Sequence, residues 1–328
     1  MPELYSPGAI EAMERRRTML RTAFGTSIAE ALDDPAVIEV MVNPDGRLWL
    51  DKAGEGRIDT GEHIGWSEAE RVIRLVASHI RTEVHAQAPI VSAELPESGE
   101  RFEGLMPPVS LAPCFSIRKP AQVIYRLQDY VSQYIMSAEA AQTLGQAIAE
   151  RQNIVVVGGT SSGKTTLVNA LLAEVAATGE RVIILEDTRE LQCAAEDCIT
   201  LRTKSGIASL TDLVRSTLRL RPDRIIVGEV RGPEALDMLK AWNTGHPGGI
   251  TTVHANSGRA ALYRLEQLVQ EAVVSVPRRL IAEAVDILVF LTGRGSARKL
   301  ATIGRVEGLD PDGDYRIVPI IEPLQQTT

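Results

Sequence analysis

Three features of this sequence predict an α/β fold. From about residue 137, short Ile/Val-rich segments alternate with amphipathic helical stretches. One strand-to-helix junction carries a glycine-rich loop of fixed spacing. The preceding 120 residues differ in texture, with helices and short strands punctuated by Pro89, Pro96, Pro107, Pro108, Pro113 and Pro120. Continuous apolar strands separated by helices indicate a parallel sheet covered on both faces. The expected layout is a smaller α+β domain over residues 1–120, a linker over 121–136 and an α/β domain over 137–328.

Taken in order, residues 9–24 form the first candidate element, a helix with Ile10, Met13, Leu20 and Phe24 opposite Arg15, Arg16 and Arg17. Such a face suits either packing on its own domain or peripheral contact with a membrane surface. Ser27 is expected to cap a short helix through Leu32. Strands follow at Val37–Val42 and Arg47–Asp51 around the turn Asn43-Pro44-Asp45-Gly46. A helix from Ser67 places Val72, Ile73, Val76 and Ile80 on one face. The mixed segment AQVIYRLQDYVSQYIM (121–136) has no sustained period and is taken as the linker. Ser137 then caps a helix in which Ala140, Leu144 and Ile148 recur every four residues. The predicted strands of the second domain are Ile154–Val157, Val182–Leu185, Arg224–Val227, Ile250–Val253 and Ile287–Leu291, with helices starting near Gly163, Thr211, Pro233 and Arg259.

Composition bounds the function. The 328 residues are 44% apolar and 24% charged, which excludes a disordered or collagen-like chain. A net charge of −8 argues against a whole-surface attraction to nucleic acid, and no stable nucleic-acid binding is expected. Arg215, Arg219, Arg221 and Arg224 leave a local basic cluster as the one feature favouring a nucleic-acid translocase. Three cysteines, Cys114, Cys193 and Cys198, cannot all pair, which suits a reducing compartment. Glu3, Glu11 and Glu14 stand where a signal peptide would carry its apolar core, and no apolar run approaches the ~18 residues of a membrane helix. The expected location is cytoplasmic, with peripheral contact at the inner face of the cytoplasmic membrane.

The loop Gly158-Gly159-Thr160-Ser161-Ser162-Gly163-Lys164-Thr165, continued by Thr166, satisfies G-x-x-x-x-G-K-[ST] between a strand and a helix. Glycines allow successive backbone amides to turn inward and form an anion nest at a helix N-terminus. Lys164 is placed to reach β- and γ-phosphates and the Thr165 hydroxyl to hold Mg²⁺. A nucleoside triphosphate with Mg²⁺ is therefore the expected ligand. Two acidic pairs, Glu186-Asp187 and Gly228-Glu229, end neighbouring strands, as does His254. Acids at strand ends commonly just cap the next helix, but two beside a phosphate loop suit orientation of a water or of the metal's shell.

The segments GGTSSGKTT, IILEDTREL, RPDRIIVGEVRG and TGHPGGITTVHAN, in that order, resemble the ATPases of the type II/type IV secretion superfamily. They correspond to a Walker A loop, an aspartate box, an atypical Walker B and a histidine box. EVMVN (39–43), RFEGLMPPVS (101–110) and SIRKP (116–120) look like the same family's amino-terminal domain. The short amino-terminal domain and the lack of a tetracysteine zinc module make the chain look most like the TrbB-type ATPases of conjugative type IV secretion. The resemblance implies a RecA-like P-loop domain and a homo-hexamer that hydrolyses ATP. Such a ring would drive apparatus or pilus assembly and substrate transfer alongside inner-membrane secretion proteins. It implies Glu229 as the water-activating residue, Glu186 near water and metal, and His254 as a γ-phosphate contact. Arg101 and Arg118 would reach the triphosphate from the amino-terminal domain. A family ATPase of the type II or pilus branch, and a nucleotide-dependent switch or scaffold with little turnover, fit the same residues. Gly228 stands where most Walker B strands carry aspartate, which leaves the metal's outer shell to Glu186 or Asp187. Arg231 matches the family without an assigned role.

Overall fold

The computed structural model describes residues 7–95, 99–120, 124–204 and 206–322, with the side chains of residues 7–13, Arg16, Arg17 and Ser296 left out of that description. The chain divides into two compact units, Met1–Gln122 and Val123–Thr328.

The first unit contains α1 (Pro7–Asp33), β1 (Val37–Val42), β2 (Arg47–Lys52), β3 (Gly56–His63), α2 (Trp66–His79), β4 (Ile90–Glu94), β5 (Arg101–Leu105) and β6 (Cys114–Arg118). Its strands form one antiparallel sheet in the order β3-β2-β1-β6-β5-β4. Helix α2 buries Ala69, Val72, Ile73, Val76 and Ala77, the face its periodicity predicts. A β-carbon at Gly104 of β5 would come within 2.7 Å of the Phe102 ring and 3.0 Å of Ile73, so helix and sheet meet closely there. Leu20, Phe24 and Ile28 of α1 are buried in the same core. Ile10 and Met13, the other half of the expected α1 face, lie outside the described side chains. The expected short helix after Ser27 is the second of two helices joined in α1; it starts just ahead of Ser27 and runs to Asp33. The break in α1 falls at Gly25, whose φ of +73° is one that glycine adopts readily.

The second unit runs α3 (Leu127–Ser132), α4 (Ala138–Ala149), β7 (Ile154–Gly158), α5 (Lys164–Ala176), β8 (Val182–Glu186), β9 (Cys198–Arg202), α6 (Leu210–Thr217), β10 (Arg224–Val227), α7 (Glu234–Asn243), β11 (Ile250–Val253), α8 (Gly258–Gln270), α9 (Arg278–Ala284), β12 (Ile287–Thr292), β13 (Lys299–Leu309) and β14 (Tyr315–Ile321). The sheet order is β14-β13-β12-β7-β11-β10-β8-β9. From β12 to β9 every neighbouring pair is parallel, and β13 and β14 add antiparallel strands at one edge. Strands β7, β8, β10 and β11 are buried throughout, in keeping with their Ile/Val-rich composition, and β11 also buries Thr251 and Thr252. Two apolar cores, one on each face of the sheet, complete the three-layer α/β unit.

Residues 127–136 are not a free linker. Leu127, Tyr130 and Met136 are buried with Ala140, Leu144 and Ile148 of α4, whose first turn is capped by Ser137 Oγ accepting from Ala140 N at 3.1 Å. Aromatic and apolar side chains at irregular spacing are buried here by tertiary packing, which periodicity does not reveal. The basic cluster is also less available than its composition suggests. Arg224 is fully buried, pairs with Glu180 and donates to Ile148 O at 2.7 Å. Arg215 pairs with Asp237 at 3.0 Å. Among the described residues no helix is long and apolar enough to cross a membrane.

Candidate nucleotide site

The parallel register builds the site. Val227 of β10 pairs with Leu185 of β8 and Thr251 of β11, and Val253 of β11 pairs with Val157 of β7. Gly158, Glu186, Gly228-Glu229 and His254 therefore emerge along one carboxyl edge, where open α/β sheets bind ligands. The segment Gly159–Gly163 connects β7 to α5. Ser161 and Gly163 adopt left-handed φ values of 62° and 90°, and Gly163 caps α5. The amides of the first turn of α5 have no helical partner, so this end is suited to an anion. Ser162 is buried, while Gly159, Thr160 and Ser161 are exposed and Thr166 half-buried.

A chain of charged groups crosses the base of the loop. Lys164, itself buried, donates from Nζ to Gly158 O and Gly159 O at 3.1 Å each. The same ammonium lies 3.2 Å from His254 Nε2 and 3.4 Å from Nδ1. His254 Nε2 is 3.0 Å from Glu229 Oε1, and Glu229 Oε2 accepts from Arg231 Nη2 at 2.6 Å. Burial pushes the Glu229 carboxyl upward, but the bonded Arg231, with His254 and Lys164, outweighs burial and holds it below the usual range. Burial and the neighbouring Lys164 depress the imidazole of His254, against a smaller opposing pull from Glu229. At neutral pH the array is ammonium, neutral imidazole, carboxylate, guanidinium.

Glu186 and Asp187, inseparable in the sequence, have different surroundings. Glu186 is 3% exposed, and its Oε1 accepts the amides of Glu190 at 2.9 Å and Leu191 at 2.8 Å. Its Oε2 is buried without a partner among the described residues. Burial raises its pKa to about 7, despite those two amides. Asp187 is exposed and accepts from Thr203 Oγ1 at 2.9 Å, on the side of β9. Gly228 follows from the position of Glu186: a β-carbon at 228 would stand 3.1 Å from Glu186 Cγ. The buried glutamate fills the space that an aspartate side chain at 228 would need.

Residues that motif reading passed over complete the site. Thr165 Oγ1 donates to Glu190 Oε2 at 3.1 Å. Asn169, one turn further along α5 and buried, donates to Glu190 O at 3.1 Å and accepts from Gln192 N at 2.9 Å. The segment after β8 is thus tied to α5. The only advance signal was a polar residue four positions beyond Thr165 on an otherwise apolar helix face. Arg231, without a role in the sequence, is the partner of Glu229. A cleft of about 680 Å³ lies beside this array, lined by Asp187, Thr203, Lys204, Ser209, Arg231 and Glu234 among others.

Arg101 and Arg118 belong to the first unit and face each other directly across β5 and β6, with both side chains exposed. The same row continues to Glu94 on β4 and Glu39 on β1, giving the sequence Glu94, Arg101, Arg118, Glu39 across four strands. Like charges directly opposite one another repel. The row carries two guanidiniums at its centre and one carboxylate at each end, so its charges balance.

Comparison with known proteins resolves the family. Residues 27–294 match the family described as Type II/IV secretion system protein. The chain belongs to this family. It is 47% identical over 291 residues to the conjugal transfer protein TrbB of Rhizobium radiobacter, covering 88% of this chain and 90% of that one. It is 31% identical to the type IV secretion system protein PtlH of Bordetella pertussis, over 83% of this chain and 91% of that one. Family membership extends to the fold. The structure of the Legionella pneumophila ATPase DotB, 18% identical, aligns with a TM-score of 0.58 over 97% of this chain and 81% of its own. The pilus retraction motor PilT, also 18% identical, aligns with a TM-score of 0.58 over 91% and 82%. The fold is thus a RecA-like P-loop domain with a smaller amino-terminal α+β domain, as in these family structures.

Proposed function

We propose that this protein is an ATPase that hydrolyses ATP to power type IV secretion or conjugative transfer, acting as a homo-hexamer beside inner-membrane secretion proteins. The observation that carries the ATPase reading is the unbroken array Lys164–His254–Glu229–Arg231 beneath a phosphate loop at the carboxyl edge of a parallel sheet. TrbB and PtlH, named as transfer and secretion proteins, support the biological setting.

In this reading the triphosphate lies along residues 158–166, its oxygens on the loop amides and on Lys164. The Mg²⁺ implied by the family calls for hard oxygen donors. The Thr165 hydroxyl with Glu190, and the unpartnered Oε2 of Glu186, supply such donors. Thr165 and Glu186 would hold it directly or through water, and the ion would neutralise charge on the β- and γ-phosphates. Glu229 orients the attacking water. Water oxygen bonds to the γ-phosphorus, the bond from that phosphorus to the β-bridging oxygen breaks, ADP departs with the released electron pair, and the water's two protons leave on the oxygens of the inorganic phosphate. A carboxylate held well below neutrality is a weak base, which suits phosphoryl transfer because its transition state requires little proton abstraction early on. Arg231 and His254 fix both carboxylate oxygens, so Glu229 is aimed before substrate arrives. His254, adjacent to both Lys164 and Glu229, is placed to connect γ-phosphate contact to water orientation. Arg101 and Arg118 would add cationic charge to the triphosphate from the first unit; an arginine supplied this way can contribute ~10³–10⁵ in rate.

The test is ATP turnover against protein concentration, with Lys164→Ala and Glu229→Gln as variants. Specific activity that rises with concentration, vanishes in both variants and coincides with a hexameric mass supports the proposal. Turnover retained in either variant refutes the assigned chemistry. Nucleotide binding without turnover at any concentration, alone or with membranes carrying the secretion proteins, favours the switch reading.

A further inference from the structure

We infer that Arg298, on the hairpin between β12 and β13, is a nucleotide-binding residue that contacts the α/β part of the phosphate chain from the side of the loop opposite His254. The inference rests on reading residues 158–166 as the nucleotide loop.

Position comes first. A β-carbon at Gly163 would stand 2.5 Å from Arg298 Nε, 2.6 Å from Cζ and 2.8 Å from Nη1. The guanidinium therefore lies directly on the residue that caps α5. Its backbone is pinned: Leu300 pairs with Leu291 across the hairpin, and Leu300 N donates to Ile135 O at 2.8 Å. Strand β7 sits between β11 and β12 in the sheet. His254, following β11, flanks the loop on one side, and the hairpin following β12 flanks it on the other.

Charge is the second observation. The N-terminal end of a helix carries a partial positive charge, so a guanidinium placed there is repelled. Arg298 has no ion pair among the described residues, and its Nε is buried without a hydrogen-bond partner. Its charge also acts on Tyr130, whose hydroxyl is buried without a partner and whose ionisation burial pushes above the usual range. Among the described residues no carboxylate lies within ion-pair distance of this cation. A structural arginine is normally paired when its donors are buried. One held against a helix N-terminus, with a buried donor unused, is matched to an anion shared with that helix end. The phosphate chain is that anion. Because Lys164, His254 and Glu229 gather on the other side of the loop, they mark where the γ-phosphate goes. Arg298 then falls to the phosphates that ADP and ATP share.

The test uses the full-length chain and compares wild type with Arg298→Gln and Arg298→Ala. Affinities are measured for Mg²⁺–ADP and for a non-hydrolysable ATP analogue, and melting temperature is measured without nucleotide. Glutamine keeps a flat polar group over Gly163 and removes the charge. Both variants should bind ADP and the analogue about 10–100-fold more weakly, by equal factors, as expected for loss of a charge-assisted contact. The nucleotide-free melting temperature should stay level or rise, because an unpaired cation leaves a helix N-terminus. ADP affinity within twofold of wild type in Arg298→Gln would overturn the inference. So would a loss confined to the ATP analogue, which would place the contact on the γ-phosphate. A lower nucleotide-free melting temperature with unchanged affinity would make Arg298 a packing residue only. If wild type itself binds no ADP while folded, the nucleotide-site reading fails first, and this result is distinguishable from the others.

Discussion

Glu186→Gln should stabilise the nucleotide-free, Mg²⁺-free protein, and should do so more as pH rises. The carboxyl is 3% exposed and its pKa is raised by burial from an ordinary 4.5 to about 7. For an acid whose folded-state pKa lies above the unfolded one, ionisation costs the folded state. The penalty is absent below pH 4.5, grows between 4.5 and 7, and is complete above 7. At ~1.4 kcal/mol per pH unit the full penalty is about 3 kcal/mol. Glutamine keeps the oxygen that accepts from Glu190 and Leu191 and mimics the protonated acid at Oε2. Its advantage over wild type should be about 1 kcal/mol at pH 5 and about 3 kcal/mol at pH 8. For a unit the size of residues 123–328, about 3 kcal/mol corresponds to roughly 6–12 °C in melting temperature. Denaturant titrations of both proteins from pH 5 to 8.5, without Mg²⁺ or nucleotide, provide the assay. Two stability curves that run parallel would refute the reasoning, since the difference must grow with pH. The variant should also lose turnover, so that the site trades stability for a buried charge.

Other perturbations bear on different contacts. Arg231→Ala removes the bond that holds Glu229 low, so the acid limb of the turnover–pH profile should move to higher pH and kcat should fall roughly tenfold or more; an unshifted profile would show that Arg231 does not set Glu229. Gly163→Ala places a β-carbon at φ +90° and 2.5 Å from Arg298 Nε, so differential scanning calorimetry should show about 1–3 kcal/mol lost. Arg224→Ala removes a buried donor from Ile148 O and one of the two arginines on Glu180, which keeps Arg151 at 2.7 Å, and should cost about 1–3 kcal/mol by denaturation, with KM for ATP unchanged in whatever fraction stays folded.

The parts of the fold that were legible share a physical cause. Strands β7, β8, β10, β11 and β12 are buried on both faces over most of their length and so are written mainly in Ile, Val and Leu, bounded by glycine or acid. The phosphate loop has to be written as glycines and Lys164, because left-handed backbone and close approach admit few substitutes. Strands β9, β13 and β14 escaped prediction because they alternate or mix exposure, as CITLR and YRIVPII do. Helix α3 escaped because its burial rests on Leu127 and Tyr130 meeting α4, a tertiary event without sequence period. Glu186, Glu229 and His254 could be named from their place at strand ends. Glu190 could not, since its contact with Thr165 depends on how the segment after β8 folds back onto Asn169.

The array beneath the loop makes one more demand. Lys164 is held by Gly158 O and Gly159 O, with Nδ1 of His254 at 3.4 Å, yet it is also the cation a terminal phosphate requires. Triphosphate binding must draw Lys164 into a new contact and place negative charge beside His254. The imidazole is depressed first by burial and then by Lys164. A phosphate that neutralises the ammonium removes the second cause and adds an opposing attraction. The pKa of His254, followed by NMR on ring-labelled protein, should therefore rise from below 6.5 without nucleotide to a higher value with a non-hydrolysable ATP analogue. ADP, lacking the terminal phosphate, should move it less. An imidazole whose titration ignores the analogue would separate His254 from the terminal phosphate and remove it from the path linking phosphate contact to Glu229. A rise seen with the analogue alone would make His254 the group that distinguishes the two nucleotides. Its Nε2, 3.0 Å from Glu229 Oε1, would then carry that distinction to the residue that aims the water.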